Sequence, residues 1–318
     1  MARTRNSHAP EGPSLALLAD IFEAGSLTAA ARSLGTSQPA LSKRLQRLEQ
    51  TLGVLVFERN TRGVVPTDYG AALLPRARTI RAQLRQAAEE VAQMRGSREG
   101  RVTVALSHLA AIALLPQVLP AYRRAWPDVA VAIIPPTFQF AGLREGAPDF
   151  AVISLPSEHP GAEFVTRALY TTQVVAVVRP GHPLARARTL AALREAEWIL
   201  PSAGSSTAVA LARVFQRARL GTPRCPVTCE TLTGMESLIL ATDLVGAIPL
   251  EVHEKRNAAN QLVRVPLDLA IEGPHVAIVR WAAARPTPGA AAMADMFVAA
   301  GHQLARRRRG QGMPDAAQ

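Results

Sequence analysis

The sequence is poor in cysteine and has no long apolar run. Only Cys225 and Cys229 are present, and no stretch approaches the roughly 18 to 20 apolar residues of a membrane span. The N-terminus, MARTRNSHAPEGPS, lacks the apolar segment of a signal peptide, so we expect a cytoplasmic protein without membrane contact. The cysteines fall in a predicted strand, CPVTC, and would stand about 13 Å apart, too far for a disulfide. We expect small core residues here, since a redox sensor would need local refolding.

Motifs of hydrolases and metal enzymes are also missing. Neither GxSxG nor HExxH occurs, and none of the seven histidines stands at metal-ligand spacing. Ser107 next to His108 could suggest a nucleophile and its base, but adjacent side chains usually point apart. We therefore expect no enzymatic activity, no cofactor and no metal.

A compact helical pattern is present between Ser14 and Thr67. The first helix carries apolar residues at i, i+3, i+4 and i+7, namely Leu15, Leu18, Ala19 and Phe22. Gly25 is expected to end this helix, and Ser26 or Thr28 to cap the next one. Gly35 then supplies a tight turn.

A third helix should start at Thr36 or Ser37, with Pro39 in its first turn. Its predicted inward face holds Ala40, Leu41, Leu45 and Leu48, and its outer face holds Gln38, Ser42, Lys43, Arg44, Gln46 and Arg47. Amides and basic side chains of this kind read base edges, while hydroxyls and lysine hold phosphates. A hairpin wing, Val54 to Arg59 and Val64 to Thr67, should follow. The alternative is a basic helix that is merely solvated.

The run GSLTAAARSLGTSQPALSKRLQRLEQTLGVLVFER, followed by Arg62, Thr67 and Gly70, resembles the DNA-binding domain of the LysR-type bacterial transcriptional regulators. The resemblance implies that the recognition helix opens at Ser37 and closes at Leu48 and Glu49. The residues expected to contact double-stranded operator DNA lie at the two helix starts, on the third helix and in the wing: Ser26, Thr28, Thr36, Ser37, Gln38, Pro39, Ala40, Ser42, Lys43, Arg44, Arg47, Arg59 and Arg62.

Residues 68–95 carry a second pattern. Apolar residues repeat every 3.5 positions between Asp68 and Met94, at Leu73, Ala77, Ile80, Leu84, Ala87, Val91 and Met94, which favours a coiled coil. A helix packed on its own domain is the alternative. Four arginines off this seam, Arg76, Arg78, Arg81 and Arg85, are expected to be solvated and drawn toward DNA. The resemblance implies that this linker helix forms a homodimer or a homotetramer and that RNA polymerase is a further partner. The half-sites would lie roughly 34 Å, or a multiple, apart.

The net charge of +11 is unevenly distributed. Residues 1–98 hold 14 basic and 8 acidic side chains, whereas residues 99–305 hold 18 and 16. The rest of the positive charge comes from Arg306 to Arg309. These residues lie in a predicted disordered tail, 306–318, that either solubilises the chain or adds weak DNA affinity. The nearly balanced middle fits a domain that handles a small molecule.

After a polar hinge, Gly96 to Gly100, predicted strands and helices alternate in two rounds. The strands at the boundary are Phe164 to Leu169 and Thr172 to Val178, and the last helix is Gly289 to Ala305. Alternation indicates a mainly parallel sheet covered by helices. The resemblance implies an effector domain of two α/β lobes, similar to type 2 periplasmic binding proteins.

The predicted fold class is therefore α+β multidomain, with a winged helix-turn-helix, a linker helix and a two-lobed α/β effector domain. The expected segments are a disordered N-terminus, 1–13, the DNA-binding domain, 14–67, the linker helix, 68–95, and the effector domain, 101–305. Lobe I is 101–170 with 271–305, and lobe II is 171–270.

Ligands of open α/β sheets bind at the carboxyl ends of strands, near helix starts. This rule selects Ser107, His108, Thr137, Ser154, Ser205, Ser206, Thr207, Thr231 and Gly246 as the expected effector-binding residues. Helix starts favour an anion, so a carboxylate or sulfonate is expected. The alternative for each serine or threonine is plain helix capping.

Overall fold

The described part of the N-terminal domain consists of three helices and a hairpin. In the computed structural model, which describes residues 10–60, 63–136, 140–146, 148–155, 160–256 and 261–310, the helices are α1 (Gly12–Ala24), α2 (Leu27–Ser33) and α3 (Gln38–Leu52). The antiparallel wing pairs β1 (Phe57–Asn60) with β2 (Gly63–Pro66). Gly25 ends α1 in the left-handed conformation at φ 70°, as predicted.

The buried face of α1 is wider than predicted. Leu18 and Ala19 are buried, but so are Leu17 and Ile21, while Leu15 and Phe22 lie half-buried at its edge. The reason is that α1 packs against α2 and α3 and also against α4 (Asp68–Met94). The pattern of apolar residues at i, i+3, i+4 and i+7 therefore predicts fewer buried positions than α1 has.

The linker helix α4 runs from Asp68 to Met94, and its predicted seam divides into two parts. Ala77 is buried, and Leu73 lies half-buried beside the core of the N-terminal domain, as the own-domain alternative expected. Further along the same seam, Leu84, Val91 and Met94 are 46%, 58% and 75% exposed. The second part is the one left open to a partner.

Three of the four seam-flanking arginines are not free, which corrects the expectation that they are drawn toward DNA. Arg78 pairs with Glu145 at 3.4 Å, and Arg85 pairs with Glu89 at 3.4 Å. Arg81 binds both Asp20, at 3.0 Å, and Glu23 of α1. Arg76 is exposed and donates to the Ala72 carbonyl.

The effector domain is built, over its described residues, on nine paired strands. They are β3 (Gly100–Leu106), β4 (Val129–Ile134), β5 (Phe150–Leu155), β6 (Phe164–Val178), β7 (Glu197–Leu200), β8 (Arg224–Thr228), β9 (Val245–Pro249), β10 (Val263–Arg264) and β11 (Ile271–Trp281). The order is β4-β3-β5-β11-β6-β9-β7-β8, with β10 on β6. β3, β4 and β5 run parallel in lobe I, and β7, β8 and β9 run parallel in lobe II.

The two lobes are joined by the long antiparallel strands β6 and β11. The sequence analysis divided β6 into two strands, Phe164 to Leu169 and Thr172 to Val178, and this prediction is wrong. The residues between the two predicted pieces of β6 are Tyr170 and Thr171, which favour strands and contain no breaker. The strand therefore continues from one lobe into the other.

In the part of the chain that the structure describes, seven α-helices cover this sheet: α5 (His108–Ala113), α6 (Leu115–Ala125), α7 (Ala141–Arg144), α8 (Ser206–Arg217), α9 (Leu232–Ala241), α10 (Leu250–Arg256) and α11 (Pro288–Gly310). A short 3-10 helix, Leu190–Leu193, precedes β7. The sequence analysis did not predict α10. It ended α11 at Ala305, whereas the helix continues through Arg306 to Arg309, so the predicted disordered tail is wrong for these residues.

The apolar core is continuous across the two lobes. Val104, Leu109 and Val276 from the lobe I side belong to the same buried cluster as Met235 and Ile248 from lobe II. A second cluster, centred on Trp198, belongs to lobe II. No single helix among the described residues is long and apolar enough to cross a membrane. The bent pair α1 and α2 passes that test only when joined, and it forms the N-terminal core.

Candidate DNA-binding face and effector cleft

Two serines cap the N-termini of α2 and α3 in the N-terminal domain. The Ser26 Oγ accepts from the Ala29 N–H at 3.1 Å and caps α2, and the Ser37 Oγ accepts from the Ala40 N–H at 3.3 Å and caps α3. Thr28 and Thr36, the alternative caps, are exposed and half-buried respectively. The caps fix where the recognition helix α3 begins.

The recognition helix has one apolar face and one polar face. Leu41, Leu45 and Leu48 are buried as predicted. Ala40, which was predicted to point inward, is exposed. The other exposed residues of the first three turns are Gln38, Pro39, Lys43, Arg44, Gln46 and Arg47, with Ser42 half-buried. This surface combines amides, hydroxyls and cations, the groups that hydrogen-bond to base edges and phosphates.

The wing is held against the helices by backbone and carboxylate contacts. The Val64 N–H donates to the Gly25 carbonyl at 3.2 Å, and the Val56 N–H donates to the Glu49 carboxylate at 3.0 Å. A Cβ at Gly63 would lie 2.3 Å from the Gly25 oxygen, and φ there is 128°, so this position requires glycine. Arg59 lies in β1, and Arg62 lies outside the described residues.

A cleft of about 500 Å³ lies between the two lobes. It brings together six of the expected effector residues, from the ends of two lobe I strands and the start of α8: Ser107, His108, Ser154, Ser205, Ser206 and Thr207. The expectation that ligands bind at the carboxyl ends of strands and at helix N-termini therefore selected six residues that line one cavity.

Two of the expected residues do not line this cleft, and a third falls outside the described residues. The Thr231 Oγ1 accepts from the Gly234 N–H at 3.3 Å and caps α9, as the capping alternative expected. Gly246 is a packing position, because a Cβ there would lie 2.3 Å from the Ile239 Cδ1. Thr137 lies outside the described residues.

The sequence analysis missed most of the apolar wall and one carboxylate. The unpredicted lining residues include Phe140, Ile153, Met235, Ile248, Val252 and Glu230. Among the described residues that line the cleft, His108 and Glu230 are the titratable ones, and neither lysine nor arginine occurs. The cleft is therefore mostly apolar, with hydroxyls contributed by both lobes.

Two of the cleft hydroxyls are engaged in capping. The Ser107 Oγ accepts from the Ala110 N–H at 3.3 Å. The Ser205 Oγ accepts from the Ala208 N–H at 3.2 Å and donates to the Ser202 carbonyl at 2.8 Å. Helical hydrogen bonding leaves the first N–H groups of α8, those of Ser206 and Thr207, without an intrahelical acceptor.

The cysteines have the surroundings of structural residues. Cys225 lies in β8, its thiol donates to the Val227 carbonyl at 3.3 Å, and burial raises its pKa, which disfavours the reactive thiolate. Cys229 follows the strand, with its sulfur 3.5 Å from the Thr231 carbonyl oxygen.

Two family descriptions match this architecture. Residues 14–71 match the bacterial regulatory helix-turn-helix protein, lysR family, and residues 95–302 match the LysR substrate binding domain. The chain belongs to the LysR family. It is thus a DNA-binding transcriptional regulator with an effector domain, which confirms the predicted family and fold.

The chain is also similar in sequence to known transcriptional regulators. The chain is 34% identical to the transcriptional regulator GbpR of Azospirillum brasilense over 215 residues, which are 66% of this chain and 63% of that relative's length. It is 28% identical to the regulator GalR of Pseudomonas putida over 88% of this chain and 71% of that one. Both relatives are transcriptional regulators of the helix-turn-helix type.

Solved structures show the same fold. Full-length CbnR complexed with its target DNA aligns with a TM-score of 0.67 at 24% identity, covering 92% of this chain and 100% of that one. A full-length OxyR variant from Pseudomonas aeruginosa aligns with a TM-score of 0.69 at 22% identity, covering 91% and 95%.

Proposed function

We propose that this LysR-family regulator binds a small effector in the cleft between its lobes. The observation that carries the proposal is convergence: Ser107, Ser154 and the start of α8 come from distant parts of the chain and line one cavity of about 500 Å³. A cavity of this size suits a metabolite rather than a macromolecule. The apolar wall supplies binding energy, and the hydroxyls supply orientation.

The proposed effector carries a carboxylate or sulfonate directed at the start of α8. There the positive end of the helix dipole and the N–H groups of Ser206 and Thr207 favour negative charge. No lysine or arginine lines the described cleft, so the anion would be held by dipoles and hydroxyls. An apolar body would lie against Phe140 and Met235, and a hydrogen-bond donor would suit Glu230.

On the DNA side, the outer face of α3 is proposed to enter the major groove, with Gln38 and Arg47 contacting bases and the wing contacting the backbone. A homodimer would form through the exposed part of the α4 seam, Leu84, Val91 and Met94, and a tetramer is the family's larger assembly. Effector binding would change the angle between subunits and hence DNA bending. RNA polymerase as a partner and a cytoplasmic location belong to the same proposal.

The effector site is tested by filling it. Ser206→Trp should abolish the change in operator footprint that a screen of carboxylates and sulfonates identifies for the wild type, because the added ring occupies the cleft. The footprint without any compound should persist, since the residues that grip DNA lie in another domain. Ser237→Trp, on the exposed side of α9, is the matched control. A retained response in Ser206→Trp would place the effector elsewhere, and loss of the compound-free footprint in a folded variant would contradict the modular mechanism.

A further inference from the structure

A buried charged cluster lies where α10, β6 and the last turn of α11 meet. Glu251 is 2% exposed and Arg308 is 8% exposed, and the Arg308 Nη1 lies 2.9 Å from the Glu251 Oε1. The other carboxylate oxygen, Oε2, accepts a hydrogen bond from the hydroxyl of Thr172, which is also buried. Three elements distant in sequence therefore converge on one carboxylate.

Each of these elements has a defined place in the two-lobed domain. Thr172 lies in β6 where the strand passes between the lobes, beside the antiparallel strand β11, and a Cβ on Gly273 of β11 would lie 2.9 Å from the Thr172 backbone carbonyl oxygen. Glu251 belongs to α10, whose next residue, Val252, lines the effector cleft. The helix α11 packs on α6 and β6 of lobe I.

The position of Arg308 is fixed by the packing of its helix. A Cβ on Gly301, two turns earlier, would lie 2.8 Å from the Leu169 Cβ, so α11 lies directly on β6. A buried ion pair is seldom more stabilising than an apolar replacement of the same volume, because both charges lose their hydration. Burial accordingly raises the pKa of Glu251, while Arg308 and Thr172 oppose that rise. The ion pair between Glu251 and Arg308 therefore contributes to the relative placement of α10 and α11 rather than to the free energy of folding.

We propose that the contact between Glu251 and Arg308 sets the angle between the two lobes, so that the C-terminal turn of α11 governs how the cleft wall α10 is placed. The proposal deepens the function proposed above, as a regulation of the same cleft. Arg308 and Glu251 are positioning residues, because they act through α10 and the crossing strands and line no part of the described cleft.

The test compares two arginines of the same run. Arg308→Met removes the buried charge and keeps an unbranched, flexible side chain, while Arg307→Met makes the same charge change at an exposed neighbour. Spin labels at the exposed positions Asp128 in lobe I and Glu195 in lobe II report the inter-lobe distance by pulsed electron resonance. Labelled chains are diluted with excess unlabelled protein, so that distances between subunits do not contribute.

Arg308→Met should move the inter-lobe distance distribution outside that of the wild type, and Arg307→Met should leave it unchanged. Amide exchange in the segment 170–175 of β6 should also rise at least about tenfold in Arg308→Met, because one charge is left buried without its partner. The combined Glu251→Gln and Arg308→Met variant removes both charges. It should melt closer to the wild type than Arg308→Met does and still show the altered distance.

An unchanged distance distribution in the folded double variant would overturn the proposal, and so would an equal change in Arg307→Met, which would trace the effect to net charge. The measurement uses no effector. A negative result for the lobe angle can therefore be distinguished from a negative result for the effector site, because the effector site is tested separately by the Ser206→Trp footprints.

Discussion

The side-chain amide of Gln86 donates to the Asp149 carboxylate at 3.0 Å and joins the linker helix to lobe I. The other Asp149 oxygen accepts from the Thr103 N–H at 2.7 Å. Two turns further along α4, the Gln93 Oε1 accepts from the Gly289 N–H at 2.8 Å at the start of α11. Gln86, Gln93 and Asp149 are all buried. The helix that carries the DNA-binding domain is thus docked on the effector domain by buried polar contacts.

This docking should depend on pH. Burial raises the pKa of Asp149, against the opposing effects of the Thr103 N–H, Arg85 and Gln86, and burial likewise raises the pKa of Glu89 beside it. A carboxyl with a raised pKa in the folded state stabilises the fold fully below its unfolded pKa of about 4, and this contribution is lost as pH rises through the folded value. Asp149→Asn removes this titration, so its melting temperature should fall less between pH 4 and pH 8 than that of the wild type. The slopes are compared rather than the absolute stabilities, because the Asn side chain has one acceptor oxygen where Asp149 accepts two hydrogen bonds. Melting curves across this range measure it, and an equal fall in both proteins would contradict the assignment.

The outer face of α3 gives a second prediction. Gln38→Ala should weaken binding to the operator by about 1–3 kcal/mol if the amide contacts a base, and should change binding to random duplex far less. Gln50→Ala, exposed at the other end of the same helix, is the control and should change neither. Titrations of both DNA classes at one salt concentration provide the measurement. Equal losses on operator and random DNA would remove Gln38 from the base-reading residues.

The exposed part of the α4 seam predicts the effect of a charge on assembly. Val91→Glu should dissociate the proposed dimer, because it buries a carboxylate in an apolar helix contact. Ala88→Glu introduces the same charge at an exposed position off the seam and should leave assembly intact. Sedimentation velocity of both variants distinguishes the two. Unchanged assembly in Val91→Glu would argue that the subunits associate through another surface.

Gly70 gives a stability prediction for the N-terminal domain. A Cβ at this position of α4 would lie 2.0 Å from the Val56 carbonyl oxygen, so Gly70→Ala must displace the chain leading into the wing. We expect a loss of about 1–3 kcal/mol or more. Gly12→Ala, whose Cβ would make an ordinary contact with the Ile80 Cγ2 at 3.5 Å, should change stability by less than about 0.5 kcal/mol. Denaturant titrations followed by signals of the N-terminal domain provide the comparison.

The features predicted correctly from sequence are those set by local chemistry. Gly25 and Gly35 end and turn helices through their own backbone freedom, and both have positive φ. The end of β3 was located because an apolar strand followed by Ser107 forms a local pattern, and Ser154 proved to be the last residue but one of β5. In these cases the residues that determine the structure lie next to one another in the chain.

The features that were missed depend on contacts between distant residues. The helix α10 has seven residues and starts directly after Pro249, and it is held by the burial of Leu250 and Val252 rather than by intrinsic preference. Four consecutive arginines look equally solvated in the sequence. That one of them, Arg308, is buried against Glu251 depends on where α11 lies on the sheet. Glu230 and the apolar cleft wall likewise follow from how α9 and α10 pack.

The continuous core of the two lobes limits how far they can move, because close-packed side chains resist wide separation. In the mechanism proposed above, the signal is therefore a small rotation, for which α4 would act as a lever arm. Its 27 residues span about 40 Å at about 1.5 Å per residue. A turn of about 5° at the effector end displaces the other end by about 3.5 Å, which is close to the rise of about 3.4 Å per base pair along DNA. In this mechanism, the length of α4 would convert a small rotation of the effector domain into a displacement of about one base pair at the DNA.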